Sequence, residues 1–122
     1  EKARSAGLDF GLAINPPTPF AAVEPYVELC DMLVIMSVHP GFGGQSFIEE
    51  SLAKMEAARN LVESHGLLTD IEVDGGIGPA NIARARDAGA NVFVAGSSVF
   101  NAENSIEAVE EMRAVLESRA TL

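Results

Sequence analysis

Three short clusters carry residue types suited to holding an anion and moving a proton: His39-Pro40-Gly41-Phe42-Gly43-Gly44-Gln45, Asp74-Gly75-Gly76 and Gly96-Ser97-Ser98. Glycine lacks a Cβ, so its backbone can approach an anion closely and aim N–H groups at it, as a phosphate requires. Taken alone, Gly41, Gly43 and Gly44 fit that role or a plain glycine loop, because their spacing is neither the P-loop pattern nor the dinucleotide fingerprint. Gly75-Gly76 and Gly96-Ser97 strengthen the phosphate reading, and Gly96-Ser97 could open a short helix whose N-terminus favours negative charge. The sequence has no Lys or Arg from Ser5 to Ala53. A phosphate held there would rely on backbone donors and helix dipoles, which suits a small sugar phosphate better than a nucleoside triphosphate.

Asp74 is the only acid directly beside these glycine loops, and a carboxylate there can face a ligand as general acid or base. Asp-Gly is also simply a good turn. His39 is a second candidate base, although a loop histidine before proline is more often a surface or packing residue. His65 reads as a solvated helix cap, and Cys30, with no nearby base, reads as packing. Met36 is most simply core, yet its place near a strand end permits ligand contact. Asn15-Pro16-Pro17 reads as a helix lead-in. No pair of histidines or cysteines has metal-ligand spacing, so the residues by themselves specify no metal.

The elements that must position these residues recur in order. Apolar runs at Leu8 to Ile14, Met32 to Val38, Ile71 to Val73 and Val92 to Ala95 are strand candidates, each followed by Gly, Pro, Asn or Ser. Their interiors do not alternate apolar with polar, which predicts parallel strands covered on both faces. Ile48, Leu52, Met55 and Leu61-Val62 mark a helix that Gly66 would cap. Pro79 is expected to open the next, with Ile82, Ala85 and Ala88 on one face. Ile106, Val109, Met112 and Leu116 mark the last, and a broken helix is expected between Thr18 and Leu29 around Pro25. Four successive βα units predict a parallel sheet. Either a small doubly wound sheet or part of an eight-stranded barrel satisfies the pattern.

Composition narrows the function classes. The chain has 122 residues, 48% of them hydrophobic, which suits one globular domain, and no apolar run approaches the roughly 18 residues of a membrane span. A net charge of −10 argues against nucleic acid and anionic membrane as partners. One cysteine favours a reducing compartment, and a cytoplasmic location is expected. The first residue is Glu1, and the opening residues read as a helix end running into a strand, so a piece of a longer protein is expected.

The run Leu33-Val34-Ile35-Met36-Ser37-Val38-His39-Pro40-Gly41-Phe42-Gly43-Gly44-Gln45-Ser46-Phe47, followed by Lys54-Met55, resembles a signature of ribulose-phosphate 3-epimerases. Ile71-Glu72-Val73-Asp74-Gly75-Gly76-Ile77-Gly78-Pro79 and Ala90-Asn91-Val92-Phe93-Val94-Ala95-Gly96-Ser97 resemble that family's next two blocks. The resemblance implies an α/β fold, the ribulose-phosphate-binding (β/α)8 TIM barrel, with residues 1–122 as the C-terminal half of one domain, strands five to eight. It implies that Asp74 is one of two acid–base aspartates and a ligand of a divalent cation such as zinc, iron or manganese. Gly41, Phe42, Gly43, Gly44, Gly75, Gly76, Gly96 and Ser97 match its phosphate-contacting loops, and Met36 matches a methionine of the apolar wall. The position of His39 commonly holds Glu or Asn in that family, so no role transfers to it. The second aspartate and the metal-binding histidines belong to units absent from this sequence. The implied activity is epimerisation of D-ribulose 5-phosphate to D-xylulose 5-phosphate, in the pentose phosphate pathway, by a protein expected to be a homo-oligomer at full length. A six-carbon ketose phosphate as substrate, and an inactive phosphate-binding half-barrel, are the alternatives.

Overall fold

The computed structural model describes residues 1–39, 41 and 45–118. A single helical turn, α1 (Lys2–Ser5), leads into β1 (Gly11–Ile14). Two 3₁₀ segments, Phe20–Ala22 and Glu24–Leu29, connect it to β2 (Met32–Met36). The break expected near Pro25 is therefore present, with Pro25 inside the first turn of the second segment, where its missing N–H costs little. Then come α2 (Ser51–Ser64), β3 (Asp70–Asp74), α3 (Ile82–Ala88), β4 (Val92–Val94), α4 (Ser97–Phe100) and α5 (Ser105–Glu117).

The four strands form one parallel sheet in the order β1-β2-β3-β4. Each new strand joins the far side of its predecessor, so the order never reverses. A doubly wound sheet needs such a reversal, whereas a barrel does not. The helices agree, since α2, α3 and α5 all lie over one face of the sheet. That face carries Leu33 and Ile35 of β2 and Ile71 and Val73 of β3, all fully buried together with Met55, Ala58 and Val62 of α2 and Ile82 and Ala85 of α3. The architecture is that of part of a TIM barrel.

Burial of the strands departs from the sequence reading. The opposite face, bearing Met32, Val34, Met36, Glu72, Asp74 and Val92, is only half-buried, and Val94 is 37% exposed. The uniformly apolar strands suggested cover on both sides; among the described residues only one side has it. Apolar continuity records that both faces are apolar and does not say what covers the second.

Local boundaries follow capping chemistry. Gly66 stands just beyond α2, where its N–H donates to Glu63 O and that of Leu67 to Val62 O. Pro79 does not open α3. It sits in the preceding turn, and Asn81 occupies the cap position, its Oδ1 accepting from Gly78 N and its Nδ2 donating to Gly76 O. Asn104 caps α5 by accepting from the N–H groups of Ile106 and Glu107. On α5 Met112 is buried, but Ile106 is 71% exposed and Val109 also lies open, so the expected apolar stripe is only partly core.

This one-sided burial has a measurable consequence. Ile35→Ala is expected to cost about 2–5 kcal/mol in urea unfolding, whereas Val34→Ala, on the half-covered face, should cost less than half as much. Equal losses would contradict it.

Candidate active site

Parallel pairing puts the C-terminal ends of all four strands at one rim, and the site candidates are at that rim. Met36, Asp74 and Val94 are partners in register across β2, β3 and β4, on the half-covered face. Asp74 thus stands between two apolar side chains at the mouth of the sheet. One layer below, Glu72 is flanked in register by Val34 and Val92. Glu72 shares the face of Asp74. Burial raises its carboxyl above the ordinary 4.5, and the neighbouring Asp74 charge raises it further.

The loops above Asp74 are held together by a residue that the sequence reading passed over. Ser37 is fully buried; its Oγ donates to Gly75 O at 2.6 Å, its N–H donates to Asp74 O at 2.9 Å, and its O accepts from Ile48 N at 2.8 Å. The exits of β2 and β3 are thereby joined. A small hydroxyl one residue past a strand has no distinctive sequence signal, because only the fold shows that its partner lies 38 residues on.

Gly75 and Gly76 are required by this contact. Gly75 has φ +135°, and a Cβ there would lie 2.6 Å from Val38 Cγ2 and 2.7 Å from Val38 N. Gly76 has φ +69°, and its Cβ would meet Phe47 N at 2.6 Å. Backbone approaches backbone here, so the missing Cβ serves loop packing at both positions. The β4 exit joins through Ser98, whose Oγ donates to Ile77 O at 2.6 Å, while a Cβ on Gly78 would sit 3.2 Å from that of Ser98. Gly96 and Ser97 are exposed at the start of α4, and nothing lies within 4 Å of the place a Gly96 Cβ would take. Asp74, Gly75, Gly76, Gly96, Ser97 and Met36 are therefore all on the β2, β3 and β4 exits. Gly41 is exposed with φ +124°. Phe42, Gly43 and Gly44 lie outside the described residues.

His39 is exposed, its backbone bracketed by Gln45, which accepts from His39 N through Oε1 and donates to His39 O through Nε2. The exposed His65 sits at the C-cap of α2, Nδ1 3.1 Å from Leu61 O. The Cys30 thiol is buried, donates to Tyr26 O, and is held above its ordinary value by burial and, less, by Asp31, with Arg4 opposing.

Three nearby cations are engaged elsewhere. Lys54 donates to Asn15 O at 3.1 Å and Pro16 O at 2.6 Å, tying α2 to the β1 exit, and burial lowers its pKa. Arg84 pairs with Glu49, and Arg86 donates to Val115 O and Leu116 O at the end of α5. A phosphate at the glycine loops would thus meet backbone N–H groups first.

With that geometry in view, comparison with known proteins is decisive. Residues 1–100 match the model of the ribulose-phosphate 3 epimerase family. The chain belongs to this family. It is 49% identical over 110 residues to the ribulose-phosphate 3-epimerase of Synechocystis, covering 90% of this chain and 48% of that protein. It is 45% identical over 111 residues to the chloroplastic ribulose-5-phosphate-3-epimerase of Arabidopsis thaliana, covering 91% and 40%. The chain spans about half the length of the curated relatives it matches. Among solved structures, 3-hexulose-6-phosphate synthase from Salmonella typhimurium aligns with TM-score 0.67 at 21% identity, covering 97% of this chain and 54% of that one. The Amycolatopsis orientalis BexX/CysO complex gives 0.69 at 24% identity, covering 96% and 45%. These two likenesses establish the fold alone.

The pairing of Glu72 with Asp74 predicts a pH dependence. A carboxyl raised on folding keeps its proton more readily in the native state, so its contribution to stability is lost as pH rises through the folded value. Glu72→Gln should therefore unfold at a higher temperature than the wild-type chain at neutral pH, and the gap should close below pH 4.5, the ordinary glutamate value. A gap that widens in acid would contradict this.

Proposed function

We propose that the protein containing this chain interconverts D-ribulose 5-phosphate and D-xylulose 5-phosphate by moving the proton at C3. The observation that carries the reading is Asp74: a family member's carboxylate at the C-terminal rim, between Met36 and Val94, directly beside Gly75-Gly76. The C3 proton is acidified by the neighbouring C2 ketone, and its removal leaves an enediolate. Asp74 takes or returns that proton on one face of the sugar, and a second acid on the other face completes the inversion. That second acid comes from outside these residues. Met36 and Val94 give the reacting carbons an apolar wall that keeps water from reprotonating the enediolate at random. The sugar's phosphate rests on backbone N–H groups of the Gly75-Gly76 and Gly96-Ser97 segments, and it is a small-molecule pentose phosphate that such a cradle suits.

Among the described residues no group of three or more His, Cys, Asp or Glu side chains could hold an ion. Asp74 and Glu72 share a face, but two carboxylates one layer apart are a poor site for zinc, iron or manganese. These residues do not by themselves fit a metal centre. Among the described residues no helix is long and apolar enough to cross a membrane.

Asp74→Asn tests the assignment, since the amide keeps the size but cannot accept the proton. In a complete barrel carrying this chain, turnover of ribulose 5-phosphate should fall by far more than tenfold, with thermal unfolding little changed. A loss below tenfold, about 1.4 kcal/mol of barrier, would remove Asp74 from the chemistry.

A further inference from the structure

A backbone amide holds an anion only if its N–H is turned toward the ligand and kept there. The direction of that N–H is set by the carbonyl of the same peptide unit, because in a planar trans unit the two point opposite ways. No peptide bond among the described residues is cis. The carbonyl of Gly75 and the N–H of Gly76 belong to one such unit. That carbonyl accepts from the Ser37 hydroxyl at 2.6 Å, and Ser37 is fully buried. The Gly76 N–H therefore faces away from the buried hydroxyl, and among the described residues it donates to no group.

The anchor behind this peptide is itself held. Ser37 N–H donates to Asp74 O at 2.9 Å, and Ser37 O accepts from Ile48 N at 2.8 Å, so the backbone that carries the hydroxyl is tied on both sides. Beyond the Gly76 N–H, the carbonyl of Gly76 accepts from Asn81 Nδ2 at 2.8 Å. The carbonyls before and after this N–H are thus both pinned. Gly76 has φ +69°, one of the several backbone regions open to glycine, and such a residue keeps a fixed amide direction only through bonds of this kind. A hydrogen bond accepted at the carbonyl also polarises the unit and strengthens its N–H as a donor.

We propose that Ser37 is a positioning residue for phosphate binding: through Gly75 O its hydroxyl aims the Gly76 N–H at a bound phosphate. This rests on the epimerase reading, in which that phosphate is the sugar's, and adds to it a residue that touches neither the substrate nor the reacting carbons. The two donors of Ser37 have separable effects. The main-chain bond to Asp74 O survives a change of side chain, so Asp74 stays in place, whereas the hydroxyl acts on the Gly75-Gly76 unit alone. Losing the hydroxyl weakens the hold on the phosphate equally in the ground state and the transition state, which raises KM and spares kcat.

In a complete barrel carrying this chain, Ser37→Ala is expected to raise the dissociation constant of inorganic phosphate, followed by phosphorus NMR, by at least about threefold. KM for ribulose 5-phosphate should rise by a similar factor while kcat changes by less than about twofold. Ser37→Cys keeps a weaker donor and should shift the phosphate constant the same way by at least about twofold, which carries the test if the alanine variant does not fold. Thr69→Val controls for lost stability alone. Thr69 is buried just before β3, at the end away from Asp74, and its Oγ1 donates to Cys30 O at 3.1 Å. Its loss should leave the phosphate constant unchanged. A wild-type barrel that binds phosphate without converting ribulose 5-phosphate would refute the epimerase reading alone, and the comparison of phosphate constants would still decide the role of Ser37. A wild-type barrel that binds no phosphate, folded Ser37 variants that bind it as tightly as the wild type, or an equal weakening by Thr69→Val would overturn the inference.

Discussion

The hydrogen bonds of Ser37 hold the rim together. Its buried hydroxyl and backbone tie Gly75 O, Asp74 O and Ile48 N to one residue, so the exits of β2 and β3 and the approach to α2 cannot move independently. Ser37 and Gly75 are buried, and loss of the bond between them would leave a buried acceptor unsatisfied at a cost of about 1–3 kcal/mol. Gly75 and Gly76 follow from the same constraint, because the loops approach so closely that a Cβ on either would overlap Val38 or the Phe47 backbone. Asp74 is the last residue of β3. Its position is therefore fixed by the ladder below and by Ser37 beside it.

Below the rim the two faces of the sheet differ in burial and in charge. Leu33, Ile35, Ile71 and Val73 pack under the helices and supply the core. Met36, Glu72, Asp74 and Val94 stand on the other side, where two carboxylates are set among apolar neighbours. Burial and the neighbouring Asp74 charge raise the Glu72 carboxyl above its ordinary value.

Much of this was legible in the sequence. The four strands and the parallel order followed from apolar runs separated by helical periodicity, and the clustering of Asp74, Gly75, Gly76, Gly96 and Ser97 followed from their place just after strands. The misses have physical causes. Pro79 carries a helix-start signal, but Asn81 can bond both Gly78 N and Gly76 O, so the cap moved on. Ile106 and Val109 have helical spacing with Met112, yet spacing does not reveal whether a neighbouring layer exists to bury them. Ser37 and Lys54 act through partners 38 or 39 residues away, Gly75 for one and Asn15 for the other, a relation that no local pattern encodes.

In the proposed reaction this rim moves a proton at the carbon beside a ketone. The most direct measurement is the fate of that proton in heavy water. With a complete barrel carrying this chain, D-ribulose 5-phosphate converted in D2O should yield D-xylulose 5-phosphate deuterated at C3, seen as collapse of the C3–H resonance in the proton spectrum. Product formed with its C3 proton retained throughout, or deuterium entering only at C1, would contradict the account.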